Sequence, residues 1–366
     1  MKSYGINAIR NVGLFGHQGA GKTSLAEALL YSANALDRLG RVDDGTATCD
    51  FDPEEQKRRI SINVALAPCE WHGTKINILD VPGYLDFQGE VQSALRVVEA
   101  AILVTPAQNT PEVGFDLAWE LAAEANLPRA VFVNKMDREN ADFGQVVQTL
   151  RQRYGNSIAP FQLPIGSADT FRGVIDIVEM KAFIGSGKEV ACSDIPPDYQ
   201  EEAERYRELL IESAAEGDDE LLEKFLNGEE LTHDEIVRGL HEGVDDGKVV
   251  PVLCGSASKD IGMTDLLDIV VHEFPNPTEV GKIHGTHPQT GAEEVRPATD
   301  TAPLSAIVFK TIADPFLGTL SKLLRNSTPT MFLLPNAQYV MSARFGSTPP
   351  RSGASVATHR IPFWWR

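Results

Sequence analysis

A glycine-rich loop near the start of the chain carries the residue types that can hold a phosphate. Its sequence GHQGAGKT fits the pattern GxxxxGK[ST], and it lies between an apolar run and a stretch with helical spacing. Glycines let the backbone curl until successive N–H groups point at one anion. A lysine then places its charge on the outer phosphate oxygens, and the hydroxyl beside it can coordinate Mg²⁺. We therefore predict a nucleotide-binding loop made of Gly16, His17, Gln18, Gly19, Ala20, Gly21, Lys22, Thr23 and Ser24.

A second short motif, DVPG, follows the apolar run 76–79 and provides Asp80 and Gly83. A carboxylate at the end of a strand can hold the metal through water, and the Gly83 N–H can reach a γ-phosphate that a Cβ would obstruct. Alone, DxxG is a weak signal and is usually a turn. About sixty residues after a phosphate loop, it indicates a sensor of the γ-phosphate.

Two further loops contain groups that could recognise a guanine base: Asn134, Lys135 and Asp137 in NKMD, and Ser256 and Ala257 in GSA. Asp137 can accept hydrogen bonds from guanine N1–H and the 2-amino group, whereas ATP would leave this carboxylate unpaired and be rejected by about 10³-fold. Lys135 can lie along the base, Asn134 can tie its loop to the phosphate loop, and the backbone at Ala257 can donate to O6. In isolation NKMD could be an Asx turn. The order and spacing of the four motifs predict GTP or GDP as the ligand.

The elements that must position these loops alternate between strand and helix. Short apolar runs predict buried strands, and amphipathic stretches lie between them. This alternation is typical of a doubly wound α/β sheet, which binds ligands at the carboxyl ends of its strands. The predicted strands are 8–15, 76–79, 101–104, 130–133 and 249–253, and the predicted helices include 89–99, 111–126 and 264–274.

The alternation is interrupted by two strand-like runs, 161–165 and 174–178, and by the acid-rich stretch 198–243, which predicts two or three solvated helices. We therefore predict a P-loop NTPase fold with an α+β insertion, followed by an incomplete β-barrel. The predicted parts are a GTP-binding domain at 1–159 and 249–277, the insertion at 160–248, a linker with some hairpin character at 278–302, the partial barrel at 303–342 and a tail at 343–366.

The stretch from Pro315 to Arg366 contains no Asp or Glu, although the whole chain has 52 acidic residues. It is rich in Ser, Thr, Pro and Arg. One interpretation is a basic, β-rich interaction tail. The other, which we favour, is that the authentic reading frame is lost near residue 323, and we expect 343–366 to be disordered or frame-shifted.

Composition argues against several classes of protein. The 52 acidic and 33 basic residues give a net charge of −19, which speaks against broad electrostatic binding of nucleic acid and predicts no DNA partner. No apolar run approaches the ~18 residues of a membrane helix, so we predict no membrane partner. The four cysteines are scattered, without a CxxC pair or clustered histidines. We therefore expect neither a zinc site nor a disulfide framework, but a cytoplasmic monomer with reduced thiols.

The motifs and their surroundings resemble translational GTPases, specifically bacterial elongation factor G and its elongation-factor-G-like paralogues. The resemblance covers residues 6 to about 322 and includes GHQGAGKTSL, QKRRISI, DVPGYLDF, VFVNKMD, QLPIGSADTFRGVIDIVEMKA and VPVLCGSAS. It implies GTP hydrolysis that is stimulated by the ribosome, with Mg²⁺ as cofactor. It also implies that Ser61, where the family has Thr, joins Thr23 and Asp80 at the metal, and that Lys22 and Gly83 act in catalysis. The insertion resembles the G′ subdomain of elongation factor G.

Three residues depart from the family pattern at positions that matter for chemistry. Tyr84 occupies the position of the water-orienting histidine, Gly19 that of a usual Asp, and Gln18 that of a usual apolar residue. A phenol is a much weaker base than an imidazole. We therefore expect slower or differently organised hydrolysis, with Gln18 or Tyr84 orienting the water.

The sequence leaves three functions open. The first is an elongation-factor-G-like GTPase, the second is a switch that binds GTP or GDP but hydrolyses weakly, and the third is a truncated fragment. Family members continue through a complete barrel and three further domains, so we expect that this chain does not translocate tRNA by itself.

Overall fold

The computed structural model describes residues 4–108, 111–280, 282–286, 290–299, 306–314, 318–325 and 330–333. They divide into two units: Arg10–Pro275, and the described residues up to Ile9 together with those from Asn276 onward. The predicted tail 343–366 and parts of the predicted barrel 303–342 lie outside the described residues.

Strands and helices alternate along the first unit, as the apolar runs predict. The strands are β1 (Ile9–Phe15), β2 (Ala65–Trp71), β3 (Thr74–Asp80), β4 (Ala100–Pro106), β5 (Arg129–Asn134), β6 (Ile158–Pro160), β7 (Gln162–Ile165), β8 (Gly173–Asp176), β9 (Lys181–Ser186), β10 (Glu189–Ser193), β11 (Val250–Cys254), β12 (Lys282–Thr286), β13 (Glu293–Pro297), β14 (Ala306–Asp314), β15 (Gly318–Arg325) and β16 (Thr330–Leu333). The helices are α1 (Lys22–Ser32), α2 (Pro53–Arg58), α3 (Gln88–Leu95), α4 (Val113–Glu124), α5 (Phe143–Tyr154), α6 (Gln200–Gly217), α7 (Asp219–Leu226), α8 (His233–Asp245), α9 (Met263–His272) and α10 (Pro277–Val280). Short 3₁₀ turns lie at Ile6–Ala8, Leu85–Phe87, Ala168–Thr170 and Pro197–Tyr199.

The main sheet, as far as the described residues form it, has seven strands in the order β2-β3-β1-β4-β5-β11-β6. The pairs β1–β4, β4–β5, β5–β11 and β11–β6 are parallel, and β2 pairs antiparallel with β3. Every residue of β1, β4 and β11 is buried, as expected for parallel strands covered on both faces. The predicted α/β fold is confirmed, with one antiparallel edge strand that the apolar runs did not predict.

Local sequence signals explain where the helices begin. Helix α2 starts with a capping box, in which Asp52 accepts from the first turn and Glu55 reaches back, and with Pro53 at its first position. Helix α8 starts with a second capping box, formed by Thr232 and Glu235.

The chain between β6 and β11 forms a separate substructure. In the described residues, β7 to β10 make an antiparallel sheet in the order β10-β9-β8-β7, and α6, α7 and α8 follow it. Helices α6 and α8 pack through small residues, because a Cβ on Gly239 would collide with the backbone oxygen of Ala214. The acid-rich stretch is helical, as predicted.

The second unit contains two further antiparallel arrangements. β12 and β13 pair within the residues predicted as a linker, and β14, β15 and β16 form a sheet in that order. None of the helices in the described part of the chain is both long and apolar enough to cross a membrane.

Candidate nucleotide site

The phosphate loop connects β1 to α1, and its curled backbone requires glycine at two positions. Gly16 and Gly21 have φ of 133° and 95°, a region that side-chain-bearing residues rarely adopt. A Cβ on Gly16 would also collide with Val104 O, and one on Gly21 with Asn134 Nδ2. Gly19 differs, because its φ is 75° but a Cβ there would meet nothing within 4 Å. The departure from the family's Asp is therefore not forced by space.

Lys22, the first residue of α1, is buried inside this loop. Its ammonium donates to Gly16 O and His17 O, both at 2.9 Å. Burial lowers the pKa of Lys22 to about 8, and the nearby Asp80 carboxylate partly opposes that shift. A triphosphate entering the loop would offer this desolvated ammonium anionic oxygens in place of carbonyls, a stronger kind of partner.

The three residues predicted to hold the metal lie together. The Thr23 hydroxyl donates to Asp80 Oδ2 at 2.7 Å and lies 2.9 Å from Ser61 Oγ. Burial raises the pKa of Asp80 to about 7, with Thr23 and Lys22 acting in the opposite direction. The other carboxylate oxygen, Asp80 Oδ1, is buried and makes no hydrogen bond within the described residues. These hydroxyl and carboxylate oxygens are hard ligands suited to Mg²⁺, and the orphaned Oδ1 is a polar atom that a cation or its water would satisfy.

A fourth oxygen ligand candidate, Asp50, joins this cluster from the segment before α2. Ser61 Oγ donates to Asp50 Oδ1 at 2.8 Å, and burial raises the pKa of the Asp50 carboxyl. The sequence analysis missed Asp50, because it has no fixed spacing from the four motifs. The only available signal was an acidic residue upstream of RISI.

Two buried carboxylates hold the backbone of the segment that carries Asp50 and Ser61. Glu27 of α1 accepts from the N–H groups of Thr48 and Cys49. Glu55 accepts at one oxygen from Ile62 N and Asn63 N, at 2.9 and 2.8 Å. The segment is therefore fixed at both ends by charge-assisted hydrogen bonds.

Gly83 lies directly against the phosphate loop. A Cβ on Gly83 would collide with Lys22 Nζ and would lie 2.8 Å from the backbone N of Gln18. Tyr84 follows it and makes an edge contact with the Phe87 ring, with centroids 6.4 Å apart. The Gln18 side chain is exposed. The structure thus brings residues 18, 83 and 84 to the same end of the site.

His17 is anchored sideways rather than toward the loop interior. Its Nδ1 accepts from Gly114 N at 3.3 Å, and its Nε2 lies 3.8 Å from Glu112 Oε2. Ser24 lies in the first turn of α1, and the carbonyl of the buried Ala20 faces Asn134. The phosphate loop is therefore attached both to the start of α4 and to the NKMD loop.

Asn134 links the phosphate loop to the loop after β11. Its Nδ2 donates to Ala20 O at 3.1 Å, and its Oδ1 accepts from Ala257 N at 3.1 Å. Lys135 has φ of 64° and donates from Nζ to Gly19 O at 2.6 Å. Burial lowers the pKa of Lys135, with Arg138 the next largest cause. The Ala257 N–H, predicted to face guanine O6, is thus engaged with Asn134, so a base would have to share that donor.

Two serine hydroxyls hold the Asp137 carboxylate. Ser256 Oγ donates to Asp137 Oδ1 at 2.6 Å, and Ser258 Oγ donates to Oδ2 at 3.2 Å. The Asp137 side chain is 7% exposed, and Arg138 lies 3.7 Å from its Oδ2. Ser258 was not predicted, and its place one residue beyond GSA was the only signal. Gln108 was also missed: it donates to Lys135 O at 3.0 Å and supports the loop from β4.

Comparison with known families agrees with this geometry. Residues 7–276 match the family model of the elongation factor Tu GTP-binding domain. The match covers most of the chain and includes every residue of the site described above. The chain belongs to the translational GTPase family.

A solved structure of a similar protein supports the same fold. This protein, from the bacterium Thermus thermophilus, is 36% identical, with a TM-score of 0.77. The match covers 87% of this chain and 46% of the Thermus chain, so this chain spans about half the length of that protein.

Proposed function

We propose that this translational GTPase binds GTP with Mg²⁺ and hydrolyses it when stimulated by the ribosome, as a cytoplasmic factor of the elongation factor G type. The observation that carries the proposal is the position of Asn134. It ties the phosphate loop to the loop that holds Asp137, so the phosphate and base ends of one pocket are fixed relative to each other. Without that tie, the motifs would be separate loops.

Thr23, Ser61 and Asp80, together with Asp50, would hold the metal in this proposal. Bound Mg²⁺ supplies neutralisation of charge on the phosphate oxygens. Lys22 would stabilise the same charge, and the Gly83 N–H would report the γ-phosphate. These contributions are positioning and electrostatics, which is what phosphoryl transfer mainly requires of a protein.

The insertion between β6 and β11 supports the elongation factor G type over smaller relatives that deliver tRNA. Its antiparallel sheet and three helices occupy the sequence that resembles the G′ subdomain. The exposed basic run Lys57, Arg58 and Arg59 on and after α2 is suited to rRNA phosphate.

Asp137→Asn tests the nucleotide assignment. We expect GTP affinity to fall by about 10²–10³-fold, because the amide presents a donor to the guanine 2-amino group, and affinity for xanthosine triphosphate to rise, because its C2 oxygen accepts from that amide. The measurement is fluorescent-nucleotide binding of GTP, GDP, ATP and xanthosine triphosphate with Mg²⁺. The exposed Asp198→Asn is the matched control and should bind like the wild type. A preference of the wild type for ATP, or binding that Asp137→Asn leaves unchanged, would contradict the assignment.

A second candidate function, a nucleotide switch with weak hydrolysis, is favoured by Tyr84 beside Gly83. Single-turnover hydrolysis with ribosomes separates the two functions. If the Tyr84 hydroxyl or the Gln18 amide orients the water, Tyr84→Phe or Gln18→Ala should slow the chemical step by about 10- to 100-fold while GTP affinity stays the same. A negligible wild-type rate with intact binding selects the switch. Unchanged rates in both variants would exclude the two residues from orienting the water.

A further inference from the structure

Two histidines and an aspartate come together outside the nucleotide site, where the turn between β2 and β3 meets helix α9. The ligand atoms of His72, Asp268 and His272 all lie within 4.8 Å of one another. Among the residues that the structure describes, this is the only group of three His, Cys, Asp or Glu side chains placed in this way. Asp268 and His272 are four residues apart on one helix, so they share a face, and His72 approaches from the turn.

The distances fit a small tetrahedral metal ion. Metal–nitrogen and metal–oxygen bonds of about 2.0–2.2 Å at a tetrahedral angle place neighbouring ligand atoms roughly 3.3–3.5 Å apart. His72 Nδ1 and Asp268 Oδ1 are separated by 3.3 Å. The exposed His272 ring has to close by roughly 1 Å, which a change of side-chain torsion provides.

Trp71 orients the carboxylate as an outer-shell partner would. Its indole N–H donates to Asp268 Oδ1 at 2.7 Å, and its ring stacks on His72 with centroids 4.7 Å apart. Metal-binding side chains are commonly fixed by such second hydrogen bonds. His72 is itself held by the turn, with φ of 46° before Gly73.

The surrounding surface has the charge that a cation needs. Asp268 and His272 line a cleft of about 690 Å³ between α9 and the insertion. Asp176, Asp265 and Glu273 also line it, and Glu273 Oε2 is buried without a hydrogen bond in the described residues. Arg238, the cleft's one arginine among the described residues, is paired with Asp218 at 3.1 Å. The cleft therefore attracts cations more than anions.

We propose that His72, Asp268 and His272 bind one transition-metal ion of the Zn²⁺ class, with water in the fourth position. Imidazole ligands favour Zn²⁺, Ni²⁺ and Cu²⁺ over Mg²⁺ and Ca²⁺. The ion links the β2–β3 turn to α9 and so stabilises the folded state when bound. This site is independent of the proposed GTPase activity.

The test is calorimetric titration of the full chain with Zn²⁺ after treatment with a chelator, in the presence of saturating GDP and Mg²⁺ so that the nucleotide site is occupied. We expect one Zn²⁺ per chain and a higher midpoint of thermal unfolding. His72→Asn and His272→Asn should each weaken binding by more than the ~10–100-fold that loss of an outer-shell partner costs. Asparagine tolerates the positive φ of residue 72, so the turn should remain folded. Trp71→Phe should weaken binding about 10-fold through the lost hydrogen bond to Asp268.

His284→Asn is the matched control. His284 lies 2.8 Å from Glu293, an exposed histidine–carboxylate pair, but belongs to no group of three in the described residues. Its replacement should leave Zn²⁺ binding unchanged. No stoichiometric binding by the wild type, equal binding by both histidine variants, or an equal loss in the control would each overturn the proposal. None of these outcomes would alter GTP binding.

Discussion

At the scale of single residues, Glu99 is a glutamate whose environment favours its protonated form. It lies directly before β4, and its Oε2 accepts from Asn11 N at 3.1 Å. Burial raises the pKa of Glu99 to about 8, and the hydrogen bonds from Asn11 only partly oppose this shift. The folded protein therefore binds this proton more tightly than the unfolded chain does. The stability that results is fully present below the ordinary pKa of 4.5 and is lost as pH rises through about 8.

Glu99→Gln should remove part of that pH dependence. Glutamine keeps an acceptor for Asn11 and carries no charge, so the variant should be more stable than the wild type by about 1–2 kcal/mol near pH 9 and about equal to it near pH 5. The measurement is denaturant unfolding of both proteins across this range. Glu120→Gln, on the exposed face of α4, is the control and should change neither curve. Parallel curves for Glu99→Gln and wild type would contradict the assignment.

The nucleotide-binding residues show why a single-residue prediction can be right about position and incomplete about bonding. The spacing of NKMD and GSA predicts that Asn134, Asp137 and Ser256 meet, and they do. The sequence did not indicate that Ala257 N–H would donate to Asn134 rather than stand open. Which acceptor a backbone N–H finds depends on loop conformation, and local sequence does not fix that conformation.

At the scale of elements, helix α2 and the residues after it form a segment held by one buried carboxylate. Glu55 is fully buried and accepts from the N–H groups of Asp52, Ile62 and Asn63. Glu55→Gln should loosen the segment, because its amide NH₂ would face backbone donors. We expect a local loss of about 1–3 kcal/mol.

Hydrogen exchange followed by mass spectrometry measures this effect. Exchange should rise by about 5- to 100-fold in residues 60–64 of Glu55→Gln and stay unchanged in β4 and β5, because local opening has its own free energy. Glu54→Gln is the control, since Glu54 is exposed and contacts only Arg58 and Lys57 in the described residues. Exchange in Glu55→Gln that matches this control would show that the carboxylate does not hold the segment.

Strand β2 shows where element prediction from periodicity fails. Its sequence ALAPCEW contains Pro68 and only half-buried alternation, so it does not look like a core strand. It forms at the edge of the sheet, paired only with β3 in the described residues, where a proline costs no ladder hydrogen bond toward solvent. The fully apolar strands were predictable because burial on both faces requires continuous hydrophobic residues.

At the scale of the whole molecule, the two units should respond differently to ligand. The nucleotide residues all belong to Arg10–Pro275. GDP with Mg²⁺ at 100 times its dissociation constant should stabilise that unit by about 2.7 kcal/mol and raise its thermal midpoint. Differential scanning calorimetry measures the shift. Lys22→Ala should abolish it, because the variant lacks the ammonium inside the phosphate loop, whereas the exposed Lys57→Ala should behave like the wild type. An equal shift in Lys22→Ala would contradict the proposed site.

The sequence by itself determined the α/β fold, the four motifs and the identity of most residues around the predicted nucleotide. It could do so because each motif is local and directly follows an apolar strand, and parallel strands bring their carboxyl ends to one edge. Only the tertiary structure decided the positions of Asp50 beside Ser61 and of His72 beside Asp268 and His272. The members of the histidine–aspartate cluster are far apart in the chain and belong to a turn and a helix whose packing has no fixed spacing. Their meeting is set by how elements pack, which a pattern of residue types does not specify.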